Sequence, residues 1–334
     1  MDEVAGQPIL AIDLGGTQIR AALVMPDLSV RCRRAVATHD EEGAEAVIDR
    51  ICALARDVLA DSAARQLPAP VGIGISSPGP LDPWLGVVVA PPNLAGWHDV
   101  RLATRVETAL ELPTFLERDT NVAMMAEWRH GVARGAENAV YVTVSTGIGG
   151  GVIANGQPLI GVDGTAGEIG HLTVELDGPL CGDGMPGHAE AIGSGTAIAR
   201  EGRTLLERGA SPGLARLAGD PEDVDAAMVA SAADAGDPAC AAVLVRAWDA
   251  IGAMCAGLVN VLNPEVIVLG GSIALQRPDL RRAVRAGIDR RAFPIPAHRV
   301  RVELAEHGED VSLIGLLPIV NERLNDPAYR KESA

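Results

Sequence analysis

The sequence predicts an α/β protein in which one domain occurs twice, with a cleft between the two copies. A buried strand at residues 9–12 leads through a glycine turn into a second strand at 19–24. The same order of strand, glycine turn and strand recurs further along the chain, at residues 139–153. Such repetition is typical of internal duplication, and a chain of 334 residues has room for two cores.

Five further segments complete the coarse secondary structure. Apolar residues at helical spacing predict helices at 45–60, 243–262 and 312–324, and buried apolar runs predict strands at 71–75 and 266–269. We expect the last helix to fold back on the first domain.

Composition and charge limit the class of protein. Hydrophobic residues make up 48% of the chain and charged residues 22%, which is ordinary for a globular protein. The formal charge of −16 is opposite in sign to the basic faces that bind nucleic acid. The sequence contains no secretion signal and no apolar run of membrane-spanning length, and its five cysteines are scattered. We therefore expect a cytoplasmic protein with no disulfide framework, no nucleic-acid partner and no membrane partner.

The lysine content excludes two classes of ATP-binding protein. The only lysine is Lys331, close to the end of the sequence. A Walker-type loop needs a lysine beside serine or threonine, and a protein kinase needs one on an early strand. If this chain binds ATP, the phosphates must be held by backbone amides, hydroxyls and Mg²⁺.

The first glycine turn carries a candidate phosphate site. Gly15 and Gly16 allow backbone amides to approach phosphate oxygens, and Thr17 adds a hydroxyl donor. Asp13, at the end of the preceding strand, could hold Mg²⁺ through water. The alternative interpretation is a plain hairpin turn.

The second glycine turn strengthens this interpretation. We expect a turn over residues 147–151, with Thr146 and Gly147 as phosphate ligands, because several glycines in one turn need a reason. Two such turns facing one cleft would clamp a triphosphate. Gly270 and Gly271, at another strand end, are candidates for the nucleoside, with a simple helix-start turn as the alternative.

These motifs occur together in a known order. The segments 13–17, 146–151, 167–171 and 270–271 follow one another as they do in the ROK family of sugar kinases, which the chain resembles from residue 9 to about 324. The resemblance implies two actin-like, ribonuclease-H-like domains with an interdomain cleft. It also implies ATP-dependent phosphorylation of a hexose hydroxyl with Mg²⁺, with O6 of glucose as the first candidate.

We assign a small domain to residues 1–116, completed by a C-terminal helix at 310–334, and a large domain to 117–309. The resemblance implies that Asp119, in a predicted strand-to-helix turn, is the catalytic base. A carboxylate there would take the proton of the attacking hydroxyl. The alternative is that Asp119 only caps the following helix. Many family members carry asparagine before this aspartate as a sugar contact, and here Arg118 takes its place.

The resemblance also implies a set of sugar-binding residues. Carboxylate, imidazole and amide groups suit a polyol, because its hydroxyls both donate and accept hydrogen bonds. For two of them, Glu168 and His171, a structural hydrogen-bonded pair is the alternative. Together with Arg118, the candidates are Gly79, Asn93, Glu168, His171 and Glu190.

A family zinc site is altered in this sequence. Relatives commonly carry three cysteines that build a structural zinc site with a histidine; here the first is Cys181, and Asp183 and His188 occupy the other two positions. Together with His171 they could form a mixed tetrahedral site, since both replacements can bind zinc. We expect the substitutions to weaken or abolish zinc binding, because a carboxylate is a harder ligand than a thiolate.

Other functions within the same fold remain as alternatives. The chain could phosphorylate another hexose, such as N-acetylmannosamine or fructose, or act as a non-catalytic sugar-responsive regulator. Family repressors carry a helix-turn-helix domain ahead of the first glycine motif, and eight residues precede Ile9 here, so we expect no such domain. We expect a homodimer or homotetramer.

Overall fold

A computed structural model describes residues 6–91 and 93–329, which form two compact units. The first unit takes in Met1–Gly135, Pro158–Ala166 and Glu306–Ala334. The second takes in Ala136–Gln157 and Gly167–Ala305. Lys331 and the last part of the predicted 310–334 helix lie outside the described residues.

The strands and helices are numbered in chain order. The strands are β1 Ile9–Leu14, β2 Gln18–Val24, β3 Val30–Ala37, β4 Ile73–Ser77, β5 Leu81–Asp82, β6 Val87–Val88, β7 Thr114–Arg118, β8 Ala139–Val144, β9 Ile148–Ala154, β10 Gln157–Pro158, β11 Val266–Gly270 and β12 Arg301–Leu304. The helices are α1 Ala44–Ala64, α2 Leu102–Leu110, α3 Asp119–His130, α4 Glu190–Gly193, α5 Gly195–Glu207, α6 Ala226–Asp234, α7 Pro238–Leu262, α8 Ser272–Gln276, α9 Pro278–Arg291, α10 Pro294–Arg299, α11 Val311–Ile314 and α12 Leu316–Arg323.

The first unit is built on a five-stranded sheet with the order β3-β2-β1-β4-β7. β1 is antiparallel to β2 and parallel to β4, which is in turn parallel to β7. The apolar strand residues are almost fully buried, and α1 adds its own apolar stripe to this core. Helix α12 covers β4 closely: a Cβ on Gly74 would lie 2.9 Å from atoms of both Leu316 and Val320.

The second unit repeats this plan on a separate core. Its sheet has the order β10-β9-β8-β11-β12, with β8 antiparallel to β9 and parallel to β11. Each strand of the first sheet therefore has a counterpart at the same place in the second. The shared order supports the interpretation of the two strand–turn–strand patterns as copies of one domain.

Helix α7 differs from expectation in one property. Among the described residues it is the one helix that is long and apolar enough to cross a membrane by length and composition, although the sequence predicted no such segment. Most of its most apolar window, 61%, is buried inside the second unit. Core helices of folded domains have the same length and composition.

Two local predictions are wrong. The predicted glycine turn at 147–151 is shorter, because Gly149, Gly150 and Gly151 are strand residues paired with β8. The predicted helix at 312–324 is divided at Gly315, where a Cβ would lie 1.9 Å from the carbonyl oxygen of Val122. Close backbone approach, and not a turn, explains Gly315.

The predicted domain boundary at residue 117 differs from the observed division. Residues up to 135 belong to the first unit. The reason is that β7 pairs with β4 along its whole length and α3 packs against α11 and α12.

Candidate active site

The first glycine turn joins β1 to β2 through Gly15, Gly16 and Thr17. Gly15 N donates to the carbonyl of Gln18 at 3.0 Å. Thr38, just after β3, donates from its Oγ1 to Gly15 O at 2.7 Å and from its N to Thr17 O at 2.9 Å. Within residues 6–91 and 93–329, the amides of Gly16 and Thr17 have no acceptor. Two consecutive amides of this kind can bind an anion.

Asp13 lies one residue before the end of β1, directly opposite Arg20 on β2. Arg20 donates from Nε and Nη2 to Asp13 Oδ2, at 3.0 and 2.5 Å. The same guanidinium donates to Glu309 O at 2.9 Å and to Ser312 Oγ at 2.8 Å. The arginine therefore fixes the orientation of the Asp13 carboxylate, a partner that sequence reasoning had not identified.

The second glycine turn joins β8 to β9 through Ser145, Thr146 and Gly147. Ser145 N donates to Gly147 O at 3.0 Å. The first two amides of α5, those of Gly195 and Thr196, donate to Ser145 O at 2.8 Å and Thr146 O at 3.2 Å. Within the part of the chain that the structure describes, the amides of Thr146 and Gly147 have no acceptor. This turn thus offers the same pair of anion-binding donors as the first.

Gly270 and Gly271 end β11 where it packs against β8. A Cβ on Gly270 would lie 1.9 Å from Tyr141 Oη, so no larger residue fits there. Gly271 has a φ of +85° and its Cβ would lie 2.5 Å from the carbonyl of Val144. The two glycines let β11 run close to the second turn.

A cavity of about 510 Å³ opens beside the second turn. Thr146, Thr196 and Ser272 line its polar end, and Ser272 Oγ lies 2.9 Å from Ser145 Oγ. Alanines of α6, including Ala230, form an apolar wall. The volume suits a small organic ligand. This wall was not predicted from the sequence.

Asp119 is the first residue of α3, and its side chain is exposed. The N-cap is Arg118, which makes no side-chain cap bond. Asp119 Oδ1 accepts from Thr120 N at 2.7 Å. A carboxylate in the first turn is stabilised by the helix dipole, so Asp119 serves the helix while staying accessible.

A buried ion pair lies behind this turn. Glu117 is 3% exposed and Arg323 of α12 is 7% exposed. Arg323 donates to Glu117 Oε2 and, at 3.0 Å, to Leu116 O. Glu117 Oε1 accepts from Arg118 N at 2.8 Å and from Asn121 Nδ2 at 2.9 Å. Neither partner of this pair was among the predicted site residues.

The side chain of Arg118 is buried, with 3% of the residue exposed. Its Nη2 donates to Asn121 Oδ1 at 3.4 Å and to the carbonyl of Ala166. Its methylene stem packs against Gly79, where a Cβ would lie 3.1 Å from Arg118 Cδ. The structure therefore brings the two candidates Gly79 and Arg118 together and engages the guanidinium inside the first unit.

Asn93 is exposed and lies against the first glycine turn. A Cβ on Gly16 would lie 3.0 Å from the backbone oxygen of Asn93 and 3.4 Å from its Cβ. A candidate sugar residue and a candidate phosphate turn are therefore in direct contact in the first unit.

The other sugar candidates lie in the second unit. Glu168 is exposed and precedes a 3-10 helix, Ile169–His171. Glu190 is the first residue of α4; its Oε2 accepts from Ile148 N at 2.7 Å, and its Oε1 lies 3.8 Å from Cys181 Sγ. Glu190 thus contacts the residue that follows the second glycine turn.

The four predicted metal ligands come together. One ligand atom from each of Cys181, His171, Asp183 and His188 lies within 4.8 Å of the others. His171 Nδ1 is 3.0 Å from Asp183 Oδ2 and 3.2 Å from His188 Nδ1, and His188 Nδ1 is 3.4 Å from Asp183 Oδ2. Tetrahedral ligands at zinc–nitrogen distances of ~2.0–2.1 Å are separated by roughly 3.3 Å. The two imidazoles and the carboxylate therefore fit a zinc ion.

The protonation preferences of this cluster differ between its members. The backbone amide of Met185 donates a hydrogen bond to the Asp183 carboxylate. This bond, together with the nearby His188 and His171, lowers the pKa of the Asp183 carboxyl below its usual value. Burial raises the pKa of the Cys181 thiol. The carboxylate is thus ready to bind a cation, whereas the thiol must lose a proton first.

Comparison of the sequence with known proteins identifies the family of this chain. The ROK family model matches residues 9–323, and the chain belongs to this family. It is 34% identical over 316 residues to a glucokinase of Thermotoga maritima, covering 95% of this chain and 98% of the relative. It is 35% identical over 308 residues to an N-acetylmannosamine kinase of Yersinia pseudotuberculosis, covering 92% of this chain and 96% of the relative.

A solved structure also matches the fold. A ROK glucokinase from Streptomyces griseus, in complex with glucose and AMPPNP, superimposes with a TM-score of 0.79 at 27% identity, covering 93% of this chain and 98% of that one. The predicted fold class of actin-like α/β domains is confirmed by this match.

Proposed function

We propose that the chain transfers the γ-phosphoryl group of ATP to a hexose, with O6 of glucose as the acceptor. The chain is an ATP-dependent sugar kinase of the ROK family. Within the molecule, the observation that carries the proposal is the pair of glycine turns. Each presents two consecutive backbone amides with no acceptor in the described residues, as phosphate binding without a lysine requires.

In this proposal each glycine turn is a phosphate-binding turn. Gly270 and Gly271 stay the proposed nucleoside residues. The cavity beside the second turn, which Ser272 directly after them lines, has room for the nucleoside. Mg²⁺, when bound, would neutralise phosphate charge, and the oriented Asp13 carboxylate would hold its water ligands. The phosphate ligands are Gly15, Gly16 and Thr17 in the first unit and Thr146 and Gly147 in the second.

Asp119 is the proposed catalytic base. Its exposed carboxylate accepts the proton of the sugar hydroxyl as the hydroxyl oxygen bonds to the γ-phosphorus and the bond to the β-phosphate oxygen breaks. The N-terminus of α3 stabilises the carboxylate before transfer. ADP leaves with the electron pair of the broken bond, and the sugar leaves as its phosphate.

The proposed sugar-binding residues are found in each unit. Gly79 and Asn93 would contribute from the first, and Glu168, His171 and Glu190 from the second. Arg118 acts indirectly in this proposal, since its buried guanidinium is already engaged by Asn121 and Ala166.

A second acceptor is favoured by one observation. The N-acetylmannosamine kinase relative is 35% identical to the chain, close to the 34% of the glucokinase relative. N-acetylmannosamine is therefore the alternative substrate. A homodimer or homotetramer stays a prediction.

A cytoplasmic location is part of the proposal. All five cysteines are buried and free. Unpaired cysteines are typical of proteins that work in a reducing compartment.

A coupled assay of ADP release over a panel of glucose, N-acetylmannosamine and fructose tests the function. We expect the highest kcat/KM with glucose. A higher value with N-acetylmannosamine would change the substrate, and ADP release no faster than without sugar would contradict the kinase activity.

We propose further that the cluster of Cys181, His171, Asp183 and His188 holds zinc less tightly than the family's thiolate-rich site. Two thiolates have been replaced by a carboxylate and an imidazole, and the remaining thiol has a raised pKa. If zinc binds, it would hold the loop that leads into α4, the helix that begins at Glu190.

Elemental analysis of protein purified without a His-tag tests the metal site. We expect less than one zinc ion per wild-type chain. In the double variant Asp183→Cys/His188→Cys, we expect the zinc content to rise to about one ion per chain. One zinc per wild-type chain, lost together with thermal stability on chelation, would show that the mixed site binds tightly.

A further inference from the structure

The Glu190 carboxylate contacts the second glycine turn from outside the sheet. Its Oε2 accepts a hydrogen bond from Ile148 N at 2.7 Å, directly after the turn. A Cβ on Gly147 would lie 2.6 Å from the same oxygen. The carboxylate therefore occupies the space that any side chain at residue 147 would need.

This contact, and not backbone conformation, explains the glycine at 147. The φ of Gly147 is outside the left-handed region, so other residues could adopt it. Gly271 in the same unit is the contrasting case, with a φ of +85°. The absence of a side chain at 147 is what lets Glu190 reach the backbone.

The segment that carries the other sugar candidates touches the same place. A Cβ on Gly170 would lie 2.1 Å from the carbonyl oxygen of Ile148. A Cβ on Gly150 would lie 2.5 Å from Ile169 Cδ1. Residues 168–171 and β9 are thus packed without a gap, and a shift of one must move the other.

We propose that Glu190 is a positioning residue that couples sugar binding to the geometry of the phosphate turn. This inference rests on the proposed function. A sugar hydroxyl bound to Glu190 holds the carboxylate in the rotamer that accepts from Ile148 N. That bond fixes Ile148 and, through the chain, the free amides of Thr146 and Gly147.

The consequence is that the two substrates bind cooperatively. Bound sugar raises the affinity for nucleotide, and by linkage nucleotide raises the affinity for sugar by the same factor. Couplings of this kind are typically about 5–150-fold.

Calorimetric titration with AMPPNP, with and without saturating sugar, measures the coupling. The sugar is whichever of glucose and N-acetylmannosamine the enzyme phosphorylates. Its concentration is set to roughly ten times the dissociation constant for sugar measured with each variant. We expect the wild type to bind AMPPNP at least about 5-fold more tightly with sugar. In Gly147→Ala the added methyl displaces Glu190 from Ile148 N, and the coupling should fall below twofold.

Two further variants separate a coupling role from a structural one. Glu190→Gln keeps an oxygen that can accept from Ile148 N, so most of the coupling should survive. Glu207→Gln removes an exposed carboxylate at the end of α5 and should match the wild type.

Coupling below twofold in the wild type, undiminished coupling in Gly147→Ala, or its loss in Glu190→Gln would each overturn the inference. If the wild type binds AMPPNP and phosphorylates sugar without coupling, the inference alone fails. If it neither binds AMPPNP nor releases ADP, the proposed function fails and the inference with it.

Discussion

The two glycine turns share their backbone plan and differ in their charges. Both are three residues long, both follow a central strand, and both leave two amides without an acceptor in the described residues. At equivalent places in the two hairpins, however, the first sheet has Asp13 opposite Arg20 and the second has Thr143 opposite Gly149. The carboxylate beside the second turn, Glu190, comes from outside the sheet and bonds to backbone.

The difference shows how a duplicated domain can divide one task. The backbone donors, which depend only on fold, are kept in both copies. The acidic side chains, which depend on single residues, are placed separately: Asp13 and Asp119, the residues proposed for the metal and the proton, lie in the first unit. The second unit carries the cavity proposed for the nucleoside and the contact between Glu190 and Ile148.

The largest effect should come from Asp119, the proposed base in the first unit. Asp119→Asn should leave folding nearly intact and lower kcat by ~10²–10⁴, because an amide cannot accept the hydroxyl proton. Steady-state kinetics with saturating sugar and ATP measure this, with the melting temperature as the control for folding. A variant that keeps more than half of the wild-type kcat would place the base elsewhere and remove the division of tasks.

The buried ion pair of Glu117 and Arg323, next to the proposed base, should give the next largest effect. Arg323→Met leaves the buried Glu117 carboxylate without its charge partner and should cost about 3–5 kcal/mol of unfolding free energy. Arg129→Met is the matched control, since its pair with Glu322 is exposed and should cost about 1 kcal/mol or less. Urea unfolding measures both. Equal losses would mean that burial does not distinguish the two pairs.

The smallest effect should come from the strand positions that distinguish the turns. Asp13→Asn should raise the free Mg²⁺ concentration for half-maximal rate by ~10-fold or more, because a hydrogen bond to a charged group contributes about 1.5–3 kcal/mol. Thr143→Val, at the equivalent place in the second unit, should change it by less than about twofold. Similar shifts in both variants would show that the cation is not held by the first unit alone.

The fold class could be predicted because the strand–turn–strand pattern and the order of motifs are local in sequence. The zinc-type cluster could also be predicted, since three of its members lie within residues 181–188 and their side chains are recognisable ligands. The extent of the second turn could not be predicted, because three successive glycines carry no pattern that distinguishes a turn from a strand.

Long-range contacts account for most of what the sequence did not reveal. Glu117 and Arg323 are 206 residues apart, and nothing near either one indicates the other. Arg20 and Ser312 are also far apart in the sequence, and nothing near either one indicates the other. The burial of Arg118 depends on Ala166, which only the folded first unit brings to it.

During synthesis, most of the first unit leaves the ribosome well before its last two helices, α11 and α12. Glu117 emerges some 206 residues ahead of Arg323, a delay of about 10–40 s at roughly 5–20 residues per second. Over that interval Gly74 and its strand also lack Leu316 and Val320. The segments of the second unit all emerge earlier than Arg323. We therefore expect the second unit to finish folding first, although the first unit begins the chain.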